Sequence, residues 1–164
     1  MGHLITTAEQ LAEAIVSDPE RVAACLGRIN RFGGQVPNCT VLRHSLHVFE
    51  RVDADPDSSD AARLWALLHD CHEVLTGDVV RPYVNARLRM DQQEIDNAII
   101  RRLPQLVPQP DSISWREVAA ADRAVGDFEL MQMERDRAPY DVCGDAEDSW
   151  TSLVRELITI GGAA

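Results

Sequence analysis

The segment from Leu64 to Asp78 reads L-W-A-L-L-H-D-C-H-E-V-L-T-G-D and carries His69, Asp70, Glu73 and Asp78 at the end of an apolar run. A stretch this apolar belongs in a core, and an imidazole buried among carboxylates is costly unless something pairs them. A divalent cation is the simplest partner. On a helix, residues three and four apart share a face, so His69 and Asp70 each neighbour Glu73, and the adjacent His69 and Asp70 can approach one ion from two sides. Two ligands are too few, and two further segments repeat the anomaly: His44 in L-R-H-S-L-H-V and Asp122 in V-A-A-A-D-R-A-V. His44, His69, Asp70 and Asp122 would make a mixed nitrogen and oxygen shell, which suits Mn, Fe, Co, Ni or Zn better than Ca. A hydrated ion with open positions would polarise a phosphoryl oxygen and supply a nucleophilic hydroxide.

These residues need elements to position them. Thr7-x-x-Gln10 resembles a capping box and starts a helix with Leu11, Ala14 and Ile15 on one face. Pro19 opens a second helix that continues through Val22, Cys25, Leu26 and Ile29. R-F-G-G-Q-V-P-N at 31–38 is a loop. Residues 42–52 read as a helix bearing His44, and an acidic linker at 53–60 caps the next one. Residues 61–75 form the metal-bearing helix, ended near Gly77. Arg81-Pro82 starts another segment. Residues 90–103 are helical with Met90, Ile95, Ile99 and Leu103 in phase, 103–111 is a proline-broken connection, 114–136 is a long helix, 137–146 a loop and 148–160 a last helix. Strand signals are almost absent, and no repeat or second domain is visible. The expectation is an all-α helical bundle in one domain spanning 1–164.

The 164 residues suffice to bury a core, and 45% hydrophobic with 26% charged residues is ordinary for a globular domain. No apolar run reaches the roughly 20 residues of a membrane-spanning helix. The absence of a basic segment leading into a long apolar stretch at the N-terminus makes the cytoplasm the expected location. A formal charge of −11 argues against binding a nucleic-acid polymer. All 16 basic residues are arginine, which excludes lysine nucleophiles, Schiff bases and a P-loop. Cys25, Cys39, Cys71 and Cys143 form no C-x-x-C pair, so four free thiols are expected rather than a thiolate zinc site.

The order H…HD…D resembles the HD-domain metal-dependent phosphohydrolases. H-D-C-H-E-V-L-T-G-D is similar to the H-D-x-x-E-x-x-x-G-D motif of small bacterial 5′-deoxynucleotidases and of small phage HD proteins, including the dATP triphosphohydrolases of phages with 2-aminoadenine DNA. R-F-G-G-Q at 31–35 followed by R-H-S-L-H-V resembles the phage form, and A-A-D-R-A-V resembles the last metal-ligand motif. The resemblance covers about residues 28–136. It implies one divalent ion (Co, Mn, Zn, Fe or Mg) on His44, His69, Asp70 and Asp122. It further implies Glu73 as catalytic acid or base, Asp78 as a contact to the sugar or a catalytic water, Arg31 on phosphate and Phe32 against the nucleoside. The implied substrate is a nucleotide, either a dNTP or a deoxynucleoside monophosphate, and a homo-oligomer is implied as well. Binuclear HD enzymes need histidines downstream of the HD pair, and none follows His72.

Two departures stand out. The branch carries G-D-x-P-x-P-x-K, whereas Val80 and Val84 stand at the proline and lysine positions here, leaving Arg81 or Arg87 to replace the lysine. Arg43 precedes His44 where an acidic or amide residue is usual. These departures keep open a non-catalytic HD module that binds a nucleotide as a sensor. His47 and His72 are expected in structural or surface roles, Trp65 in the core and Arg123 in solvent.

Overall fold

Four of the helices start where a side chain takes up a free backbone N–H. The computed structural model describes residues 4–36, 38–106, 113–135, 139 and 145–161, with the backbone alone at 81, 105, 113, 114 and 161. Thr7 Oγ1 accepts from the Gln10 N–H at 3.2 Å and opens α1 (Ala8–Ser17). The Gln10 side chain answers one residue further back than a capping box requires, accepting from the Thr6 N–H at 2.9 Å. Pro19 occupies the first turn of α2 (Pro19–Leu26), where no N–H is needed. Thr40, Ser59 and Asn85 cap α3 (Val41–Asp53), α4 (Asp60–Leu68) and α6 (Ala86–Arg102) in the same manner. The short α5 (Glu73–Thr76) ends at Gly77, whose φ of 71° lies in the left-handed region open to glycine. The long α7 (Ile113–Glu134) and the final α8 (Ala146–Gly161) complete the chain.

The fold is an all-α bundle. Among the described residues there is no strand, and an isolated antiparallel bridge joins Asn30 to Thr40. The layers are α1 against α6, α2 against α8, and α3 packed on both α4 and α7. At the centre α4 contacts α3, α7 and α8, and it buries Leu64, Leu67 and Leu68 completely. Trp150 of α8 is fully buried and donates its indole N–H to the Leu67 carbonyl at 3.0 Å. Trp65 is in the core, as expected, with its ring centroid 4.0 Å from that of Trp115. No helix among the described residues is long and apolar enough to cross a membrane.

Two expectations change. The helix over 61–75 is interrupted: α4 stops at Leu68, and residues 69–72 form turns in which Cys71 N–H bonds to Leu68 O and Glu73 N–H to Asp70 O. The cause is local. His69 Nδ1 lies 2.9 Å from the Ala66 carbonyl, which in a continuous helix would accept from the Asp70 N–H. The second change concerns α6, which begins at Ala86, so its first turns run past the core and Met90 is 67% exposed rather than packed. Ile95, Ile99 and Leu103 are buried in phase as read. Most of 137–146, with Cys143, and 107–112 lie outside the described residues.

Cys39 and Cys71 are both fully buried free thiols. Burial, with Glu129 adding to it, pushes Cys39 up to about 12, and burial also holds Cys71 well above the ordinary thiol value. Because the thiolate is the reactive form, native alkylation at pH 8 followed by mass spectrometry should leave both unmodified while the half-buried Cys25 reacts. Labelling of Cys39 or Cys71 at the rate of Cys25 would contradict this packing.

Candidate metal centre

Three elements converge on one point. α3 directs His44 inward, where it is fully buried; the turn after α4 supplies His69 and Asp70; α7 supplies Asp122. His44 Nε2 lies 3.1 Å from Asp122 Oδ1 and 3.7 Å from Asp70 Oδ2. His69 Nε2 lies 3.4 Å from Asp70 Oδ2 and 4.0 Å from Asp122 Oδ1. The two imidazole centroids are 5.5 Å apart. The break in the helix at His69 serves this geometry, because it turns both His69 and Asp70 toward α3 and α7.

The donor chemistry fits a divalent cation. Each ring has its Nδ1 engaged: His44 Nδ1 is 3.0 Å from Glu129 Oε1 and His69 Nδ1 is 2.9 Å from the Ala66 carbonyl. Carboxylate and carbonyl oxygens only accept, so both Nδ1 atoms carry the proton; without a cation His44 Nε2 also carries one and donates it to Asp122 Oδ1, so an ion would take the His44 lone pair by displacing that proton. His69 Nε2 is buried without a hydrogen-bond partner among the described residues. Such an orphan has a reason to exist if an ion takes its lone pair. His44, His69 and Asp70 can place one ligand atom each within 4.8 Å of one another.

Without a cation the cluster holds positive charge in another form. Burial alone would lower the His44 pKa, but hydrogen bonds to Asp122 and Glu129 outweigh it and raise the group to about 9. Asp70 is pushed upward by burial, yet His69, His44 and Arg31 together hold its carboxyl well below the usual carboxylate range. Asp122 is likewise lowered against burial by His44 and His69.

Glu129 is the residue that the sequence reading missed. It is fully exposure-free, seven residues and thus two helical turns beyond Asp122 on α7. Its Oε1 takes His44 Nδ1–H and its Oε2 accepts from Arg31 Nε at 3.0 Å. Arg31 Nη1 in turn donates to Asp70 Oδ2 at 3.3 Å. Arg31 is therefore tied between two carboxylates. Its loop is closed by Arg31 N–H to Cys39 O and Val41 N–H to Ile29 O. Phe32 sits at φ 56°, ψ 33°, a left-handed conformation rare for a bulky residue. It packs against the buried pair Val36 and Cys39, and Arg31 Cζ is 5.5 Å from its ring centroid.

A cavity of about 470 Å³ opens beside the cluster, reached by Asp70, Asp122, Glu73, Asp78, Arg31 and Phe32. Glu73 is 7% exposed, and its Oε2 and the Asp78 Oδ2 are buried without hydrogen-bond partners among the described residues. Burial, reinforced by Asp70 and Asp78, pushes the Glu73 carboxyl up to about 9. His72 also lines the cavity and is closer to the chemistry than expected: its Nδ1 bonds to Asp96 Oδ1 at 2.9 Å, and it can share an ion with Asp70 and Glu73.

Other sequence expectations separate here. Val80, Val84 and Pro82 form part of an apolar wall of the cavity. The Arg81 side chain lies outside the described residues. Arg87 is 82% exposed and paired with Asp91 at 3.0 Å, away from the cavity, so it does not stand in for the missing lysine. Arg123, expected in solvent, is exposed but lines the cavity mouth. His47 pairs with Glu50 at 3.1 Å at the surface. No protein-family model matches this chain, and it matches no curated protein.

Proposed function

We propose that this protein is a divalent-metal-dependent phosphohydrolase of the HD type acting on a nucleotide, either as a dNTP triphosphohydrolase or as a 5′-deoxynucleotidase. The observation that carries the reading is the pair of imidazoles whose Nδ1 atoms are occupied and whose Nε2 atoms turn toward Asp70 and Asp122. A cation on His44, His69, Asp70 and Asp122, of the Mn, Fe, Co, Zn or Mg type, would supply Lewis acidity toward a phosphoryl oxygen and a more acidic water. The chain's own groups do the rest. Glu73 Oε2, buried at the cavity floor, is the atom that holds and passes a proton. Arg31 keeps Asp70 and Glu129 in register and adds positive charge beside the site. Asp78, which lines the same cavity, would accept from a sugar hydroxyl or a water. Phe32, Val80, Val84 and Leu130 offer an apolar wall to a base.

The test is product analysis by mass spectrometry on the full chain loaded in turn with Mn, Co, Zn and Mg and offered deoxy- and ribonucleotides with one or three phosphates. Nucleoside with phosphate from monophosphates marks a 5′-nucleotidase; nucleoside with intact triphosphate marks a triphosphohydrolase. Chelation should abolish either. Glu73→Gln should reduce turnover by about 10²–10⁴-fold while bound metal and nucleotide affinity persist. Absence of any metal-dependent product would end this reading and leave a nucleotide-binding module.

A further inference from the structure

The cavity side of α7 contains a glycine that the helix itself does not need. Gly126 lies inside a 22-residue helix, where glycine is less favourable than alanine. Glycines inside helices usually admit a neighbouring element closely, but a Cβ built on Gly126 meets no heavy atom within 4 Å. No packing contact in the described fold explains its small size. What adjoins it is the cavity, which Gly126 lines together with Asp122 and Leu130.

Those residues are ordered along one helix face. Asp122 belongs to the cation cluster. Leu130 is 41% exposed and lines the same cavity. Eight residues of helix separate them, about 12 Å at 1.5 Å per residue, which is the span of a mononucleotide. Gly126 stands midway. We infer that Gly126 is a specificity-determining position: the sugar of a bound nucleotide lies against the bare helix backbone there, with its phosphate toward Asp122 and its base toward Leu130 and Phe32. This rests on the nucleotide reading above.

The experiment compares wild type, Gly126→Ala and Gly126→Leu as metal-loaded full chains. It measures KM for nucleotides where turnover occurs, or Kd by calorimetry where it does not. Melting temperature, bound metal and Kd for inorganic phosphate are read alongside. Expected are melting temperatures at or above wild type, because both residues favour helix. Metal content and phosphate affinity should be unchanged. Nucleotide KM or Kd should rise about tenfold or more for leucine, with a smaller rise for alanine. Unchanged nucleotide binding by Gly126→Leu overturns the inference, as does a parallel loss of metal or inorganic phosphate. A wild type that binds no nucleotide also overturns it. A wild type that binds nucleotides without hydrolysing them ends the phosphohydrolase reading alone, and the Kd comparison still decides the role of Gly126.

Discussion

Glu129→Ala should destabilise the metal-free protein by about 3–5 kcal/mol, the range for removing one partner of a buried ion pair. For a domain of this size that is a fall in melting temperature on the order of 10 °C. The cause is what the substitution leaves behind. Glu129 is fully buried and satisfies two cationic groups, His44 Nδ1 at 3.0 Å and Arg31 Nε at 3.0 Å. Arg31 is only 14% exposed in its side chain, so water cannot replace the lost carboxylate fully. Metal affinity should fall as well, by about 10–100-fold, because the acceptor that fixes the His44 tautomer is gone. Glu129→Gln separates the two effects: its amide oxygen can still accept from His44 Nδ1–H, whereas charge compensation of Arg31 is lost. Calorimetric unfolding in chelator together with a metal titration measures both. A melting temperature within about 2 °C of wild type for Glu129→Ala would show that the buried pair contributes little.

Asp70→Ala should act chiefly on the metal. In chelator it should lower stability as well, because, against burial, His69, His44 and Arg31 hold the Asp70 carboxylate ionised and that net attraction is lost. Metal binding should suffer far more. Asp70 Oδ2 is within 3.7 Å of both ligand imidazoles, and removing a direct ligand should exceed the roughly 100-fold upper bound for losing a supporting partner. Wild type should gain about 4 kcal/mol when free metal is 1,000 times its Kd, and Asp70→Ala should gain almost none under the same conditions. On the proposed phosphohydrolase reading, metal-dependent hydrolysis should fall to background. Metal-induced stabilisation of Asp70→Ala equal to wild type would place the ion elsewhere.

The helices were legible in the residues that start and stop them. Thr7, Pro19, Ser59 and Gly77 act through local hydrogen bonds or backbone sterics, so a short window of sequence contains the cause. His44, His69, Asp70 and Asp122 could be picked out because a metal-ligand type inside an apolar run is anomalous wherever it occurs. Glu129 escaped although Phe128, Leu130 and Met131 flank it, because a lone glutamate on a long helix of mixed polarity reads as a solvated side chain. Its spacing from Asp122 was the available signal. Met90 was misplaced because periodicity shows which face of a helix is apolar but not how far the helix outruns the core it packs on.

By itself, then, the sequence determined an all-helical chain and a set of ligand-type residues that burial would force to find partners. Those are local consequences of propensity, capping and the cost of desolvating charge. Tertiary packing decided what local chemistry cannot. It brought α3, the turn after α4, and α7 together, so that His44 and Asp122, 78 residues apart in the chain, meet at 3.1 Å. It also tied Arg31, which lines the cavity, across 98 residues to Glu129. Which nitrogen of a histidine faces inward, and which cation is already neutralised, depends on neighbours that are distant in sequence, and only the folded chain supplies them.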